Sequence, residues 1–212
     1  KIRIKARLIF SIKGFWPYFL NGVGVLKQKV SLWFFAVLEK SMYRSANGII
    51  VNSIGFEDHI GKRLKGKKKP IIRFMPNGAR HFEISGRKEK IHSEFKVIYT
   101  GNIGLAQDVD FLKELAAALF HEDIHLSIVG YGVKRKELKM YVKENNLTNV
   151  TFLAPVKRMD CLEINKEHDV GILSLNDKDI FGTVLPGKLI DYTISGLPIV
   201  AAVSGHSKKL IE

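Results

Sequence analysis

The chain has 212 residues, enough for one large or two small domains, and its hydrophobic content of 46% is enough for a packed core. Lys and Arg total 34 against 21 Asp and Glu, a net charge of +13 that points to an anionic partner: nucleic acid, a membrane surface or a phosphorylated ligand. Cys161 is the only cysteine, which excludes an internal disulfide and a cysteine-cluster metal site and fits a reducing, cytoplasmic setting.

The first stretch, KIRIKARLIFSIKGF, is basic and then apolar, but it lacks a small-residue cleavage site and is not read as a signal peptide. Within it ARLIFSI (6–12) is a short run of β-formers. GVLKQKVSLWFFAVLEKSMYRSA follows with Leu26, Val30, Trp33, Phe34, Val37 and Leu38 at helical spacing. Its apolar core, Val30 to Leu38, is far shorter than the ~20 residues of a spanning helix. NGIIVNS (47–53) reads as a strand, IGFEDHIGKRL as a helix, and PIIRFMPNG (70–78) as a strand ending in a Pro-Asn-Gly turn. Ala79 to Glu94 is polar and without period, and is read as a linker.

The remaining sequence alternates. KVIYT, IHLSIVG, VTFLA, DVGILSL and LPIVAAV read as strands. QDVDFLKELAAALF, KRKELKMYVKENN, MDCLEINKEH, PGKLIDYTISG and HSKKLIE read as helices. That alternation predicts right-handed βαβ units and a parallel sheet covered on both faces.

Ligands of open parallel sheets sit outside the carboxyl ends of the strands. There the chain places Gly101-Asn102-Ile103-Gly104 after KVIYT and Gly130-Tyr131-Gly132 after IHLSIV. Glycine permits close backbone approach, and free N–H groups at a helix start favour an anion. In TVLPGKLIDYTISGLPIV, Lys188 and Asp191 share one face of a helix opened by Pro186. A lysine there can neutralise a diphosphate and a carboxylate can accept both hydroxyls of a ribose. The same spacing also suits a surface Lys–Asp pair on an amphipathic helix. The five histidines His81, His92, His121, His125 and His168 fall on linker or helix-flanking positions and are read as surface residues. His59 and His206 carry no motif.

Taken together, FSIKGFWP, LEKSMYRSANGIIVNS, FMPNG, YTGNIGLAQ, IVGYG and FGTVLPGKLIDYTISGLPIVA resemble a GT-B glycosyltransferase of the family 4 type, in the branch of bacterial capsule, O-antigen and exopolysaccharide sugar transferases. The resemblance implies an α/β fold with two Rossmann-like parallel-sheet domains, the N-terminal one partly present. Residues 1–80 would be the rest of that acceptor-side domain, 81–94 a linker, and 95–212 the nucleotide-sugar-binding domain. It implies that Gly101, Asn102, Gly104, Gly132, Thr183, Lys188 and Asp191 line the donor site, with Lys188 near the diphosphate and Asp191 where the family has a ribose-gripping glutamate. Thr183 takes the first position of the family's Glu-x7-Glu spacing. Asp191 is one methylene shorter than that glutamate, Thr183 is not acidic, Gly187 replaces a small Ser, and Gly14 and Ser11 replace acidic residues of the branch.

The implied activity is a retaining transfer of a hexosyl or N-acetylhexosaminyl group from a nucleotide-diphosphate donor, a UDP-sugar, to a lipid-linked or glycan acceptor. No cofactor or metal is implied: there is no Asp-x-Asp motif, and lysine with helix N-termini can take its place. No catalytic residue is identified, because the family's N-terminal strand, glycine loop and catalytic group precede the first motif. The chain is therefore expected to be incomplete at both ends and inactive by itself. Six basic residues between Lys62 and Lys69, with the aromatic stretch before them, suggest peripheral contact with an anionic inner membrane face. No helix-turn-helix, zinc-finger or RNP pattern supports nucleic acid. Two other readings stay open: a nucleotide-sugar 2-epimerase on the same fold, and a non-catalytic binding module.

Overall fold

A computed structural model of the chain describes residues 6–15, 18–26, 28–64, 69–84 and 94–212. His92 and four residues of the lysine run, 65–68, lie outside them. Two compact units are present. The first takes Lys1–Asn77, Lys178–Leu185 and Gly205–Glu212, and the second Gly78–Asp177 and Pro186–Ser204. Residues 178–185 and 205–212 thus group with the first unit, although they fall within the stretch expected to form the nucleotide-binding domain.

The second unit is built on a five-stranded parallel sheet. Its strands are β4 (Lys96–Thr100), β5 (His125–Val129), β6 (Val150–Leu153), β7 (Val170–Ser174) and β8 (Ile199–Ala202), in the order β6-β5-β4-β7-β8. The helices between them are α4 (Val109–His121), α5 (Arg135–Glu144), α6 (Arg158–Lys166) and α7 (Gly187–Ile194). The three central strands are buried over their last four residues, which is why they read as unbroken apolar runs. Period-two alternation splits them between two cores. Val97 and Tyr99 pack with Leu112, Ala116, Leu138 and Val142 of α4 and α5. Ile98 and Val129 pack with Tyr192 and Leu197 on the opposite face.

Strand order reverses beside β4, which has β5 on one side and β7 on the other. Such a switch point opens a crevice at the carboxyl ends of the strands. Tyr192 fixes α7 over it. Its buried hydroxyl accepts from the Thr100 amide at 2.9 Å and donates to the Ile172 carbonyl at 3.1 Å. Gly171 makes room for that ring, since a Cβ there would come within 2.8 Å of Tyr192 Cδ2.

The first unit carries a three-stranded parallel sheet, β1 (Ile9–Ile12), β2 (Gly48–Val51) and β3 (Ile71–Phe74), in chain order. Its helices are α1 (Tyr18–Gly22), α2 (Lys29–Ser45), α3 (Gly55–Arg63) and α8 (Gly205–Ile211). The core is Phe15, Tyr43, Ile49, Val51, Phe56, Ile60 and Leu64, with Ile180 and Val184 packed against it. Buried Glu39 is met by the Tyr43 hydroxyl at 2.8 Å, by His59 Nε2 at 3.2 Å and by Arg63 Nε at 3.4 Å. On α2 the apolar residues found by helical spacing turn outward: Val30, Trp33, Phe34, Val37 and Leu38 are all exposed.

One histidine departs from expectation. His168 is buried, not a surface residue: Nδ1 donates to the Ile164 carbonyl and Nε2 accepts from the Ser127 hydroxyl, each at 2.8 Å. The sequence concealed it because it sits in a polar helix-to-strand turn, and only the packing of α6 on β5 brings Ser127 to it. Burial holds its pKa below the usual 6.5. The unfolded chain therefore binds this proton more readily, and the contribution of His168 to stability is present above pH 6.5 and lost as pH falls below it. Thermal unfolding between pH 5 and 8 is expected to show this acid loss, and His168→Gln to flatten it. An unchanged profile in the variant would remove His168 as its source.

Candidate functional site

The candidate site of the second unit lies at the carboxyl end of β4. The turn after Thr100 and the turn after Val129 lock into each other. The Gly101 amide donates to the Val129 carbonyl at 2.9 Å, and the Ile103 amide to the Tyr131 carbonyl at 2.6 Å. The Gly104 amide donates to Gln107 Oε1 at 2.9 Å. Gly130 and Gly132 have φ of +147° and +142°, and a Cβ on either would stand 1.9 Å and 2.3 Å from the carbonyl oxygens of Gly101 and Ile103. These glycines thus let one turn seat on the other. Three of the amides that the sequence offered to an anion already have partners inside the protein.

What the seated turn leaves in the crevice is a cation. The Lys188 Nζ is enclosed, and it lies 3.6 Å from the centroid of the Tyr99 ring. A Cβ on Gly101 would touch the lysine's Cε at 3.7 Å, so the φ of +110° at Gly101 brings the turn alongside the stem. The Tyr99 hydroxyl donates to the Asn102 carbonyl at 3.0 Å, tying ring and turn together. Nζ has no hydrogen-bond acceptor among the described residues, and burial lowers its pKa to about 7. The ring face attracts the ammonium but accepts none of its three protons in a strong bond.

One turn along α7, Asp191 is partly buried and its carboxyl is pushed upward, first by burial. Arg158, at the start of α6, opposes this: Nη2 lies 2.9 Å from Asp191 Oδ1. Arg158 is itself held by Glu83, with Nε 3.1 Å from Oε1. Glu83 closes a short 3-10 turn (His81–Glu83) and its Oε2 accepts the Arg80 amide at 2.8 Å, which is the largest cause of its lowered pKa.

Of the residues singled out in the sequence, Gly101, Asn102, Gly104, Gly132 and Lys188 come together, and Asp191 lies on the same helix as Lys188. Thr183 belongs to the first unit, where its carbonyl accepts from Ser53 at 2.5 Å and its hydroxyl donates to Ile180 at 2.7 Å. Sequence reading missed Tyr99, Arg158 and Glu83. Arg158 was within reach, five residues past VTFL on the same rim. Glu83 was hidden in a stretch taken as linker. Among the described residues no group of three His, Cys, Asp or Glu could hold a metal ion. The first unit has its own cavity of about 460 Å³, lined by Phe15, Tyr18, Asp58, His59, Lys62, Asp179, His206 and others.

Residues 94–212 match the family described as Glycosyl transferases group 1. No curated protein sequence matches the chain. Among solved structures it resembles a mutant of S. aureus TarM in complex with Fondaparinux, alpha-GlcNAc-glycerol and UDP, at 15% identity and TM-score 0.67, covering 100% of this chain and 40% of that one. It resembles the pneumococcal O-GlcNAc transferase GtfA in complex with UDP and GlcNAc at 14% identity and TM-score 0.64, covering 98% and 40%. It also resembles WaaG, a glycosyltransferase involved in lipopolysaccharide biosynthesis, at 15% identity and TM-score 0.65, covering 96% and 58%. At such identities the likeness is one of fold, and the chain spans 40% to 58% of these proteins.

Proposed function

Since the chain belongs to the group 1 glycosyl transferases, we propose that its second unit holds the nucleotide-diphosphate sugar of a transfer to a lipid-linked or glycan acceptor, with retention at the sugar carbon. The observation that carries this reading is the enclosed Lys188 Nζ, a cation against the GNIG turn with no acceptor for its protons among the described residues. A diphosphate supplies the oxygens it lacks. Negative charge grows on the leaving diphosphate as the sugar departs, and an ammonium fixed beside it stabilises that charge more than the ground state. Asp191 takes the ribose hydroxyls. Two structural neighbours hold UDP, which supports a uridine donor of the hexosyl or N-acetylhexosaminyl kind.

The acceptor is assigned to the first unit, whose cavity mixes aromatic rings with carboxylate, imidazole and ammonium groups, a set suited to a hydroxylated ligand. The outward stripe of α2 supports peripheral attachment to the inner membrane face, with apolar side chains entering the interface and Lys29 and Arg44 meeting anionic headgroups. Among the described residues no helix is long and apolar enough to cross a membrane.

Titration calorimetry with UDP, GDP and UDP-GlcNAc tests the donor site. Lys188 has a pKa of about 7 in the free protein, and an anion beside it favours the charged form, so binding draws in a proton above pH 7. Affinity is expected to fall by up to about tenfold per pH unit between pH 7 and 9, with proton uptake visible in buffers of different ionisation enthalpy. Binding that is independent of pH and unchanged by Lys188→Ala would sink the assignment.

A further inference from the structure

Arg158 and Glu83 have no place in the donor reading above, yet both converge on Asp191. The guanidinium is planar, so fixing Nε on Glu83 Oε1 at 3.1 Å also fixes the direction of Nη2. Glu83 cannot follow a moving arginine: it is 2% exposed, and its Oε2 accepts both the Arg80 amide at 2.8 Å and Arg158 Nη2 at 3.5 Å. The arginine head therefore rests on a rigid base.

Its contact with Asp191 has an informative geometry. Nη2 lies 2.9 Å from Oδ1, close enough to neutralise its charge, yet Oδ1 is buried and receives no aligned hydrogen bond among the described residues. The carboxylate is thus paired but not saturated. An unsaturated buried acceptor is costly unless a ligand donor completes it. Asp191 also has less reach than the family's glutamate, so its oxygens must be placed by a support and cannot find a hydroxyl by side-chain freedom.

We propose that Arg158, clamped by Glu83, is the positioning residue that holds the Asp191 carboxylate in the orientation that receives the two ribose hydroxyls of the donor. This rests on the assignment of the ribose to Asp191. It extends the donor site to Glu83, in the stretch where the chain passes from the first unit into the second. It also gives Arg158 no direct contact with the diphosphate, so its loss is felt at the ribose alone.

The test compares UDP and GDP with their 2′,3′-dideoxy forms by titration calorimetry on the wild-type chain and on Asp191→Ala, Arg158→Met and Glu83→Gln. Inorganic pyrophosphate serves as a probe of the neighbouring Lys188 subsite and of folding. The wild type is expected to prefer the ribo form of the better-bound nucleotide by about tenfold or more, the range of hydrogen bonds to a charged group. Asp191→Ala and Arg158→Met should each reduce that preference to under about threefold while pyrophosphate affinity stays the same. Glu83→Gln, which keeps the shape and removes the charge, should fall between. If Asp191→Ala abolishes the preference and Arg158→Met retains it in full, the positioning role is wrong and the ribose assignment stands. If the wild type shows no preference, binds neither nucleotide, or keeps its preference in Asp191→Ala, the ribose assignment falls and the role of Arg158 with it.

Discussion

Replacing Lys188 by methionine is expected to abolish nucleotide-diphosphate binding and, at the same time, to stabilise the free protein. Both effects follow from one atom. The ammonium is enclosed against the Tyr99 ring and has no acceptor among the described residues, so an empty site leaves a buried charge uncompensated. Methionine keeps an unbranched stem beside Gly101 and removes the charge. An apolar replacement of this kind is expected to gain on the order of 1–3 kcal/mol of unfolding free energy at pH 7. Because the folded-state pKa is near 7 and the unfolded one near 10.5, the unfolded wild type binds the extra proton between those values. Wild-type stability therefore rises with pH across that window, and the advantage of the variant shrinks as pH approaches 10. Binding moves the other way: removing one partner of an enclosed charge pair is expected to weaken diphosphate affinity at least about 100-fold, roughly 3 kcal/mol. Chemical denaturation at pH 7 and 9, with calorimetry on UDP and pyrophosphate, reads both. A variant less stable than wild type and still binding would show that Lys188 is only packing material.

The largest loss of stability is expected from Gly130→Ala. Its φ of +147° is strained for any residue with a Cβ, and the added carbon would lie 1.9 Å from the Gly101 carbonyl oxygen. That neighbour is backbone, held by the Gly101 amide on Val129, so it cannot swing away. Relief requires the two turns to separate, which also withdraws the GNIG turn from Lys188. The cost is expected to reach about 3 kcal/mol or more, lowering the unfolding temperature of the second unit by on the order of 10 °C. Gly187→Ala is the contrast. Nothing lies within 4 Å of a Cβ there, and the residue opens α7, so the change should stay within about 0.5 kcal/mol. Equal effects at the two positions in thermal unfolding would refute the seating of one turn on the other.

Much was legible without coordinates. KVIYT, IHLSIV and DVGILS are apolar without interruption because helices cover both faces of the sheet, and that pattern is local in the chain. The alternation of strand and helix, Pro186 at the start of α7 and Gly196 at its end are likewise local signals, so the parallel α/β fold and the helix carrying Lys188 and Asp191 could be read directly. What a side chain does depends on neighbours that are distant in sequence, and these needed the tertiary structure. By their spacing alone Lys188 and Asp191 read sooner as a surface pair, and only the ring of Tyr99, 89 positions earlier, encloses the ammonium. The glycines of GNIG and GYG looked like one phosphate cradle, and packing shows that Gly130 and Gly132 make room for the carbonyls of the GNIG turn. His168 looked exposed because its own surroundings are polar, while its partner Ser127 lies on another strand, 41 residues away. Glu83 and Arg158 are 75 residues apart, one in a polar segment and the other at the start of α6, and only the fold joins them to Asp191. Periodicity reports which elements form, because it reflects each segment's own contact with water, whereas burial and pairing of a charge reflect where the segments meet.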